Sequence, residues 1–199
     1  ARVSPASLGL NAGPRVAVIY ASGAIVSGHS GYDPLNGATT GSDTLTESIR
    51  QARKDPAVRA LVLRIDSPGG SAVASDAIWH ELRLAKKERA DLPIVASMSD
   101  LAASGGYYLA MAADVIVAQP STLTGSIGIF GGKFVTGGVY EKLGARTDST
   151  SIGRHAEINS PLRPFSPDEV KKLEAQLRDF YDGFVRKAAE SRGRTPAQI

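Results

Sequence analysis

The stretch "ALVLRIDSPGGSAVASDAIWHELRLAKKERADLPIVASM", residues 60–98, decides the fold class. An apolar run over residues 60–66 ends at the turn "SPGGS", a segment with helical spacing of its apolar residues follows, and a second apolar run occupies residues 93–98. This order predicts a strand, a helix that ends near Arg89, and a second strand parallel to the first. The helix residues predicted to face the core are Val73, Ala77, Leu82 and Ala85.

The segment before this unit predicts one more strand and one more helix. "RVAVIYASGAIV", residues 15–26, is apolar and β-branched, which favours a buried strand and its continuation. Residues 27–43 are rich in Gly, Ser and Asp, so we expect a loop there. Thr44 and Glu47 have the spacing of a capping box that would start a helix. The apolar stripe of that helix is Leu45, Ile49 and Ala52.

The segment after the unit predicts a turn, two helices and a further strand. "SDLAA" is expected to be a turn, "SGGYYLAMAA" a short helix, and "DVIVA" (residues 114–118) a fourth strand. A long amphipathic helix should follow and end at Gly193 and Pro196. Its apolar stripe is Val170, Leu173, Leu177, Phe180, Phe184 and Ala188.

Alternating strands and helices predict an α/β protein built from βαβ units, with a mainly parallel sheet and flanking helices on both faces. The 199 residues suffice for one domain with a substantial core. We assign residues 1–14 to a linker-like segment and residues 15–199 to that domain. The ending "RGRTPAQI" predicts a further element that is cut short, so we expect this chain to be a piece of a longer polypeptide.

The composition argues against several function classes. The net charge is +3, and no block of Lys and Arg interleaved with aromatic residues marks a nucleic-acid surface. The chain has no cysteine, which removes disulfides and Cys-ligated zinc, and it has no His-Glu-x-x-His motif, so we expect neither a metal nor a cofactor. No apolar run reaches the roughly 18 residues of a membrane span, and no signal peptide opens the chain.

Two turns carry the candidate chemistry. "DSPGGS" and "LAASGG" each follow a predicted strand, and sites in open α/β sheets lie beyond the carboxyl ends of the strands. Gly69, Gly70 and Gly105 can offer backbone N–H groups to a developing oxyanion, and Ser104 stands at a helix start as a candidate nucleophile. Ser104 can also be an ordinary N-cap, and "PGG" an ordinary tight turn.

The base that would take the proton of Ser104 is not evident. A Ser-His-Asp triad needs a histidine held by a carboxylate, and the spacing favours no pairing. The histidines are His29, His80 and His155, and the candidate carboxylates are Asp66, Asp100 and Asp114.

Four motifs in this order, "LRIDSPGGS", "AASGGYYLAMAAD", "TLTGSIGIFG" and "YEKLG", resemble the signal peptide peptidase A family of membrane-bound serine proteases. The resemblance covers nearly the whole chain. It implies a fold related to the Clp protease and crotonase families, and a Ser-Lys dyad in which Ser104 is the nucleophile. It places the oxyanion donors at Gly69, Gly70 and Gly105.

The same resemblance implies partners and a location. Family members digest signal peptides left in the membrane after secretion, so the expected substrates are peptides and not nucleic acids. They act on the extracytoplasmic (periplasmic) side of the cytoplasmic membrane, to which a segment absent from this chain would attach the protein. They assemble into rings or bowls, so we expect a homo-oligomer.

The chain departs from this family at the lysine. Short members supply it just before "INSP", where this chain has Ala156, and no lysine lies between Lys142 and Lys171. Lys133 does not match the motif position. The departure resembles double-length members, in which the serine comes from the C-terminal half and the lysine from the N-terminal half. The general base is then expected from the N-terminal half of a parent polypeptide.

Two other functions stay open at this stage. The chain can be a catalytically inactive assembly module of a protease complex, in which Ser104 only caps a helix. It can also be a crotonase-like acyl-thioester enzyme that uses the same paired N–H groups on a thioester carbonyl.

Overall fold

A computed structural model describes residues 13–35 and 37–199. The strands are β1 (Arg15–Ser22), β2 (Ala24–Val26), β3 (Gly31–Asp33), β4 (Gly37–Gly41), β5 (Val58–Ser67), β6 (Ile94–Ala103), β7 (Val115–Val117) and β8 (Leu123–Gly125). The α-helices are α1 (Ser42–Lys54), α2 (Ala72–Glu88), α3 (Gly105–Ala110), α4 (Gly137–Lys142) and α5 (Pro167–Arg192), and a 3-10 helix spans Pro196–Gln198. Of the linker-like segment predicted at residues 1–14, residues 1–12 lie outside the described part.

The main sheet is parallel, as predicted. Its strand order is β1-β5-β6-β7, and β8 pairs with the end of β6 on the same edge as β7. A smaller sheet has the order β2-β4-β3, in which β2 and β4 are parallel and β3 is antiparallel. The βαβ units and the α/β class are therefore confirmed. β5 and β6 are neighbours, so the two turns that carry the candidate chemistry lie at adjacent strand ends.

Within residues 13–35, 37–127 and 184–199, the helices cover only one face of the main sheet. On that face Ile19, Leu61 and Leu63 are buried, together with the following alternate residues of β5 and β6. On the other face Val16 and Tyr20 are 58% and 66% exposed. The prediction of helices on both faces is wrong for this part of the chain. In the order β1-β5-β6-β7 each new strand is added at the same edge of the sheet, so every right-handed crossover lies on the same face.

The segment predicted as a loop at residues 27–43 contains β3 and β4. These strands are rich in Gly and Thr and carry no apolar run, so they lack a local strand signal; they form because they pair with each other and with β2. The predicted turn "SDLAA" is also strand, since β6 continues to Ala103 and its last residues pair with β8.

The predicted capping box of α1 and part of the predicted buried face of α2 are wrong. α1 begins at Ser42, and the hydroxyl of Thr44 accepts a hydrogen bond from the N–H of Ser30 instead of forming a capping box. In α2, Val73 and Ala77 are exposed, while the predicted Leu82 and Ala85 are buried. The buried stripe of α2 is Ala74, Ser75, Ile78, Glu81, Leu82 and Ala85.

A capping box that the sequence analysis missed starts α5. The N–H of Glu169 donates to the hydroxyl of Ser166 over 3.2 Å, and the N–H of Ser166 donates to the Glu169 carboxylate over 2.7 Å. Arg163 forms a bidentate ion pair with the same carboxylate, with both N···O distances 2.7 Å. The hydrogen bond from Arg163, with that from the Ser166 N–H, lowers the pKa of Glu169 from 4.5 to about 2.

The chain forms two compact units. One contains the described residues up to Ile127 together with Phe184–Ile199, and the other is Gly128–Gly183. The long helix α5 therefore contributes its first part to the second unit and its last part to the first. None of the helices in residues 13–35 and 37–199 is both long and apolar enough to cross a membrane.

Candidate active site

Ser104 lies at the junction of β6 and α3 in a strained backbone conformation. Its φ is 51° and its ψ is −116°, and a positive φ is uncommon for a residue with a side chain. Such outliers cost of order 1–3 kcal/mol and cluster at functional sites. A serine on a sharp strand-to-helix turn is also how hydrolases expose a nucleophilic hydroxyl.

The hydroxyl of Ser104 does not cap the helix that it precedes. Ser104 occupies the N-cap position of α3, but its side chain accepts no hydrogen bond from the first turn. The side chain is half-exposed, and among the described residues it has no hydrogen-bond partner. Its backbone is held at both ends, because its N–H donates to the carbonyl of Gly125 over 2.9 Å and its carbonyl accepts from the N–H of Tyr108 over 2.8 Å.

The glycine turn after β5 packs directly against Ser104. A Cβ atom placed on Gly69 would lie 2.8 Å from the Cβ of Ser104 and 2.6 Å from the nitrogen of Gly105, closer than real Cβ contacts come. The φ of Gly69 is 99°, so the position needs glycine for its conformation as well. The structure thus brings together the two turns that the sequence analysis selected.

Ser67 fixes the shape of this turn. Its buried hydroxyl donates to the carbonyl of Gly23 over 2.7 Å and accepts from the N–H of Gly69 over 3.1 Å. The strand β2 holds the other side, since the N–H of Ile25 donates to the carbonyl of Gly69 over 2.8 Å. The N–H of Gly70 has no hydrogen-bond partner among the described residues, so it is available to a ligand.

The first turn of α3 offers a second group of N–H donors. Gly105 is the first residue of the helix, and the first N–H groups of a helix have no acceptor within it. A Cβ atom on Gly105 would lie 2.6 Å from the hydroxyl oxygen of Ser75 in α2, so this turn is packed too closely for any side chain. The positive end of the helix dipole adds to the attraction for negative charge.

The histidines and carboxylates do not assemble into a triad with Ser104 among the described residues. His29 and His80 are exposed, and His155 lies in the second unit, where its Nε2 is 2.7 Å from Oδ2 of Asp168. The hydrogen bond with His155 lowers the pKa of Asp168.

None of the three candidate carboxylates contacts a histidine in the described structure. Asp66 and Asp100 are exposed at the strand ends. Asp114 forms an ion pair with Lys86 at 3.0 Å and accepts the N–H of Ile94 over 2.8 Å, so it has a structural role.

No lysine hydrogen-bonds to Ser104 within the described residues. Lys133, in the second unit, donates to the carbonyl of Ile158 over 2.9 Å and lies 4.3 Å from the ring centroid of Phe165. Ala156 is exposed in a turn of the same unit. The described residues also contain no group of three or more side chains that could hold a metal ion.

Sequence reasoning missed a polar cluster behind α3. The Tyr108 hydroxyl donates to Oδ1 of Asp76 over 2.7 Å, and the ammonium of Lys187 donates to both groups. Burial raises the pKa of Asp76, but the hydrogen bonds from Lys187 and Tyr108 outweigh it, so the pKa lies below the ordinary value. Burial, with the hydrogen bond to Asp76, raises the pKa of Tyr108. No sequence signal links these residues, since they come from three separate elements.

Comparison with known protein families decides the family of the chain. The model of peptidase family S49 matches residues 86–199, which include Ser104 and the whole of α3. The chain belongs to peptidase family S49. The resemblance stated from the motifs is thereby confirmed.

Two relatives of this S49 chain are proteases by name. It is 43% identical over 188 residues to the "Serine protease SPPA, chloroplastic" of Arabidopsis thaliana and 43% identical over 187 residues to "Protease 4" of Salmonella typhi. Each match covers 94% of this chain but only 27% and 29% of the respective relative. The S49 chain described here thus spans less than a third of the length of these relatives.

The fold of the S49 chain is that of the Clp proteases. A mutant of ClpP1 from Listeria monocytogenes superposes with a TM-score of 0.51 at 13% sequence identity, covering 92% of this chain and 75% of the other. At this identity the likeness concerns the fold alone, and it confirms the Clp-like architecture expected from the motifs.

Proposed function

We propose that this chain carries the nucleophile and the oxyanion donors of a serine peptidase of the Ser-Lys type. The observation that carries the proposal is the conformation of Ser104: a strained, half-exposed serine with an unengaged hydroxyl, packed against the Gly69 turn at a helix start. Membership of peptidase family S49 and the names of the relatives support it. A mere N-cap would need neither the positive φ nor a free hydroxyl.

The proposed reaction begins with attack of the Ser104 hydroxyl oxygen on the scissile carbonyl carbon. The negative charge that develops on the carbonyl oxygen is stabilised by the N–H groups of Gly70 and Gly105. The N–H of Gly69 already donates to Ser67, so the role that we assign to Gly69 is close packing that brings the two turns together. A base takes the Ser104 proton during the attack and gives it to the nitrogen of the leaving amine as the scissile C–N bond breaks. Water, deprotonated by the same base, then attacks the acyl-enzyme carbonyl, and the C–O bond to Ser104 breaks to release the acid and the serine.

We propose that the base is a lysine supplied from outside this chain, by another part of the parent polypeptide. The position that carries the lysine in short family members is Ala156 here. A lysine must be neutral to act as a base, although its ordinary pKa is about 10.4. Burial in an apolar cleft formed with the second part would lower the pKa by several units.

We propose signal peptides as substrates, cleaved at the extracytoplasmic side of the cytoplasmic membrane by a membrane-anchored homo-oligomer. The motif resemblance supports this part of the proposal. The anchor would lie in a part of the polypeptide other than the described residues, whose helices contain no membrane span.

The test is covalent labelling of the complete parent protein with a fluorophosphonate, combined with hydrolysis of a fluorogenic peptide. We expect Ser104→Ala to abolish both labelling and hydrolysis while the protein stays folded, because its hydroxyl makes no capping bond. The matched control is Ser126→Ala, since Ser126 has the same positive φ of 51° but lies outside the glycine turns. Normal turnover by Ser104→Ala would refute the proposal, and turnover of acyl-thioesters instead of peptides would favour the crotonase-like alternative.

A further inference from the structure

Helix α3, which holds Ser104 and the Gly105 N–H in place, is short. It has only six residues, and a helix of that length is not stable by itself. Its first turn nevertheless has to keep the strained Ser104 in place and to present the N–H of Gly105. The conformation must therefore be imposed by what packs behind the helix.

Tyr108 connects the back of α3 to its functional end. Its N–H donates to the carbonyl of Ser104 over 2.8 Å, so the position of its backbone determines that of the serine. Its side chain is only 2% exposed and its ring packs on Phe184 of α5, with ring centroids 4.7 Å apart. Trp79 of α2 contacts the same ring edge-on at 6.3 Å.

The hydroxyl of Tyr108 forms hydrogen bonds with charged side chains from two other helices. Asp76 of α2 accepts a hydrogen bond from this hydroxyl over 2.7 Å. The ammonium of Lys187, on α5, donates to the tyrosine oxygen over 2.7 Å and to the Asp76 carboxylate. The same ammonium lies 4.1 Å from the ring centroid of Trp79. One tyrosine thus links α3 to α2 and α5 through a charge-assisted network, which is stronger and more directional than neutral hydrogen bonds.

We propose that Asp76, Tyr108 and Lys187 are positioning residues that hold Ser104 and the first turn of α3 in the reactive geometry. This inference rests on the proposed function of Ser104. They act on Ser104 through the backbone hydrogen bond between the Tyr108 N–H and the Ser104 carbonyl. A displacement of α3 by a fraction of an ångström would move both the nucleophile and the Gly105 N–H away from the substrate carbonyl.

The test uses Tyr108→Phe and Lys187→Met in the complete parent protein. Tyr108→Phe keeps the ring packing and deletes only the hydroxyl, and Lys187→Met keeps much of the side-chain volume and deletes the charge. We expect both to lower kcat and the rate of fluorophosphonate labelling of Ser104 by about tenfold or more, with KM nearly unchanged, because small misplacements of reacting groups carry penalties of this size. Hydrogen exchange of the Tyr108 amide should become faster.

Arg83→Met provides the matched control. Arg83 also links α2 to α5, through Glu190 at 3.6 Å, and its guanidinium carbon also lies over Trp79, at 5.9 Å from the ring centroid. Among the described residues it forms no ion pair with α3. All rates are measured at a temperature below the onset of unfolding of each variant, so that a general loss of stability does not lower the measured rates.

The outcomes separate the two proposals. If Ser104 is not labelled in the unmodified protein, the proposed function fails and the positioning role fails with it. If Ser104 is labelled but Tyr108→Phe and Lys187→Met react at the normal rate, only the positioning role is refuted. An equal loss of kcat and of labelling rate in Arg83→Met also refutes the positioning role, since the effect would then come from general contact between α2 and α5.

Discussion

At the scale of single residues, Ser104 shows how a strained conformation is maintained. The positive φ is unfavourable for serine, but hydrogen bonds to the Gly125 carbonyl and from the Tyr108 N–H hold the backbone on both sides. Gly69 leaves no room for the turn to relax towards β5. The side chain is consequently directed away from helix capping, and its hydroxyl stays available for chemistry.

The close approach of Gly69 to Ser104 predicts that Gly69→Ala is strongly destabilising. The new Cβ atom would lie 2.6 Å from the Gly105 nitrogen, in addition to the strain of a φ of 99°. We expect a loss of about 2–5 kcal/mol in the free energy of unfolding from strain and overpacking together. Urea denaturation measures this loss.

Gly28→Ala is the matched control for this prediction. Gly28 has a φ of 88°, and nothing lies within 4 Å of the position of its missing Cβ atom. The strain alone should cost about 1–2 kcal/mol. Equal losses for the two variants would show that the contact between the turns carries no cost.

The candidate site residues could be selected from the sequence, and the residues that pack behind them could not. Ser104, Gly69 and Gly70 were predicted because a serine before two glycines and a double glycine after a strand are local patterns. Ser67 was missed because its partner Gly23 is 44 residues away, and Lys187 because it is 111 residues from Asp76. Such distant contacts become visible only when the fold is known.

At the scale of elements, two stretches with the spacing of a capping box behave differently. Ser166 and Glu169 form the box at the start of α5, where Arg163 adds an ion pair. Thr44 and Glu47 have the same spacing, but the hydroxyl of Thr44 is bonded to the N–H of Ser30. The motif therefore predicts a helix nearby, whereas tertiary contacts decide whether the box forms.

The low pKa of Glu169 predicts an acid-dependent stability of the start of α5. The folded pKa of about 2 lies below the ordinary 4.5, so the carboxylate stabilises the folded state fully above about pH 4.5. This contribution declines as the pH falls from about 4.5 and is lost near pH 2. We expect Glu169→Gln to be less stable than the unmodified chain at about pH 7 and nearly equal to it at about pH 2, as measured by urea denaturation.

A control variant tests whether the effect belongs to the box. Glu174 is exposed on the same helix and forms no ion pair among the described residues, so Glu174→Gln should change stability at neutral pH much less than Glu169→Gln does. A constant difference between Glu169→Gln and the unmodified chain from neutral to strongly acidic pH would contradict the prediction.

At the scale of the whole molecule, the described residues hold the proposed nucleophile and the proposed oxyanion donors, but no lysine among them hydrogen-bonds to Ser104. We therefore expect the isolated chain to be nearly inert towards a fluorogenic peptide. General-base catalysis raises the reaction rate by roughly 10²–10⁴-fold, so its absence is easy to measure by comparison with the complete parent protein. Comparable rates for the two would show that a base exists within these 199 residues.

Ala156→Lys in the isolated chain extends this prediction. The motif resemblance implies that short family members carry their lysine at the matching position, so we expect partial activity that Ser104→Ala removes again. The rescue should be incomplete because charged groups flank the position: Glu157 would favour a protonated lysine. No activity in the variant would mean that the backbone at residue 156 does not direct a side chain to the serine.

The fold class followed from the sequence, whereas the exposure of the sheet did not. Continuous apolar strands indicated a parallel sheet, and such runs are usual in sheets covered on both faces. The strand order, which places all crossovers on one side, depends on pairings that no local pattern specifies. The smaller sheet was missed for a related reason, since β3 and β4 have the composition of a loop.

The uncovered face of the main sheet has a practical consequence for anyone who purifies this chain by itself. Val16, Val18 and Tyr20 on one edge strand, and Val115 and Val117 on the other, are 48–66% exposed. Apolar surface of this kind adsorbs to hydrophobic resins and increases the fluorescence of environment-sensitive dyes in the native state. It also promotes precipitation as the protein concentration rises. We expect the chain to need mild detergent or dilute storage, even though its core is buried.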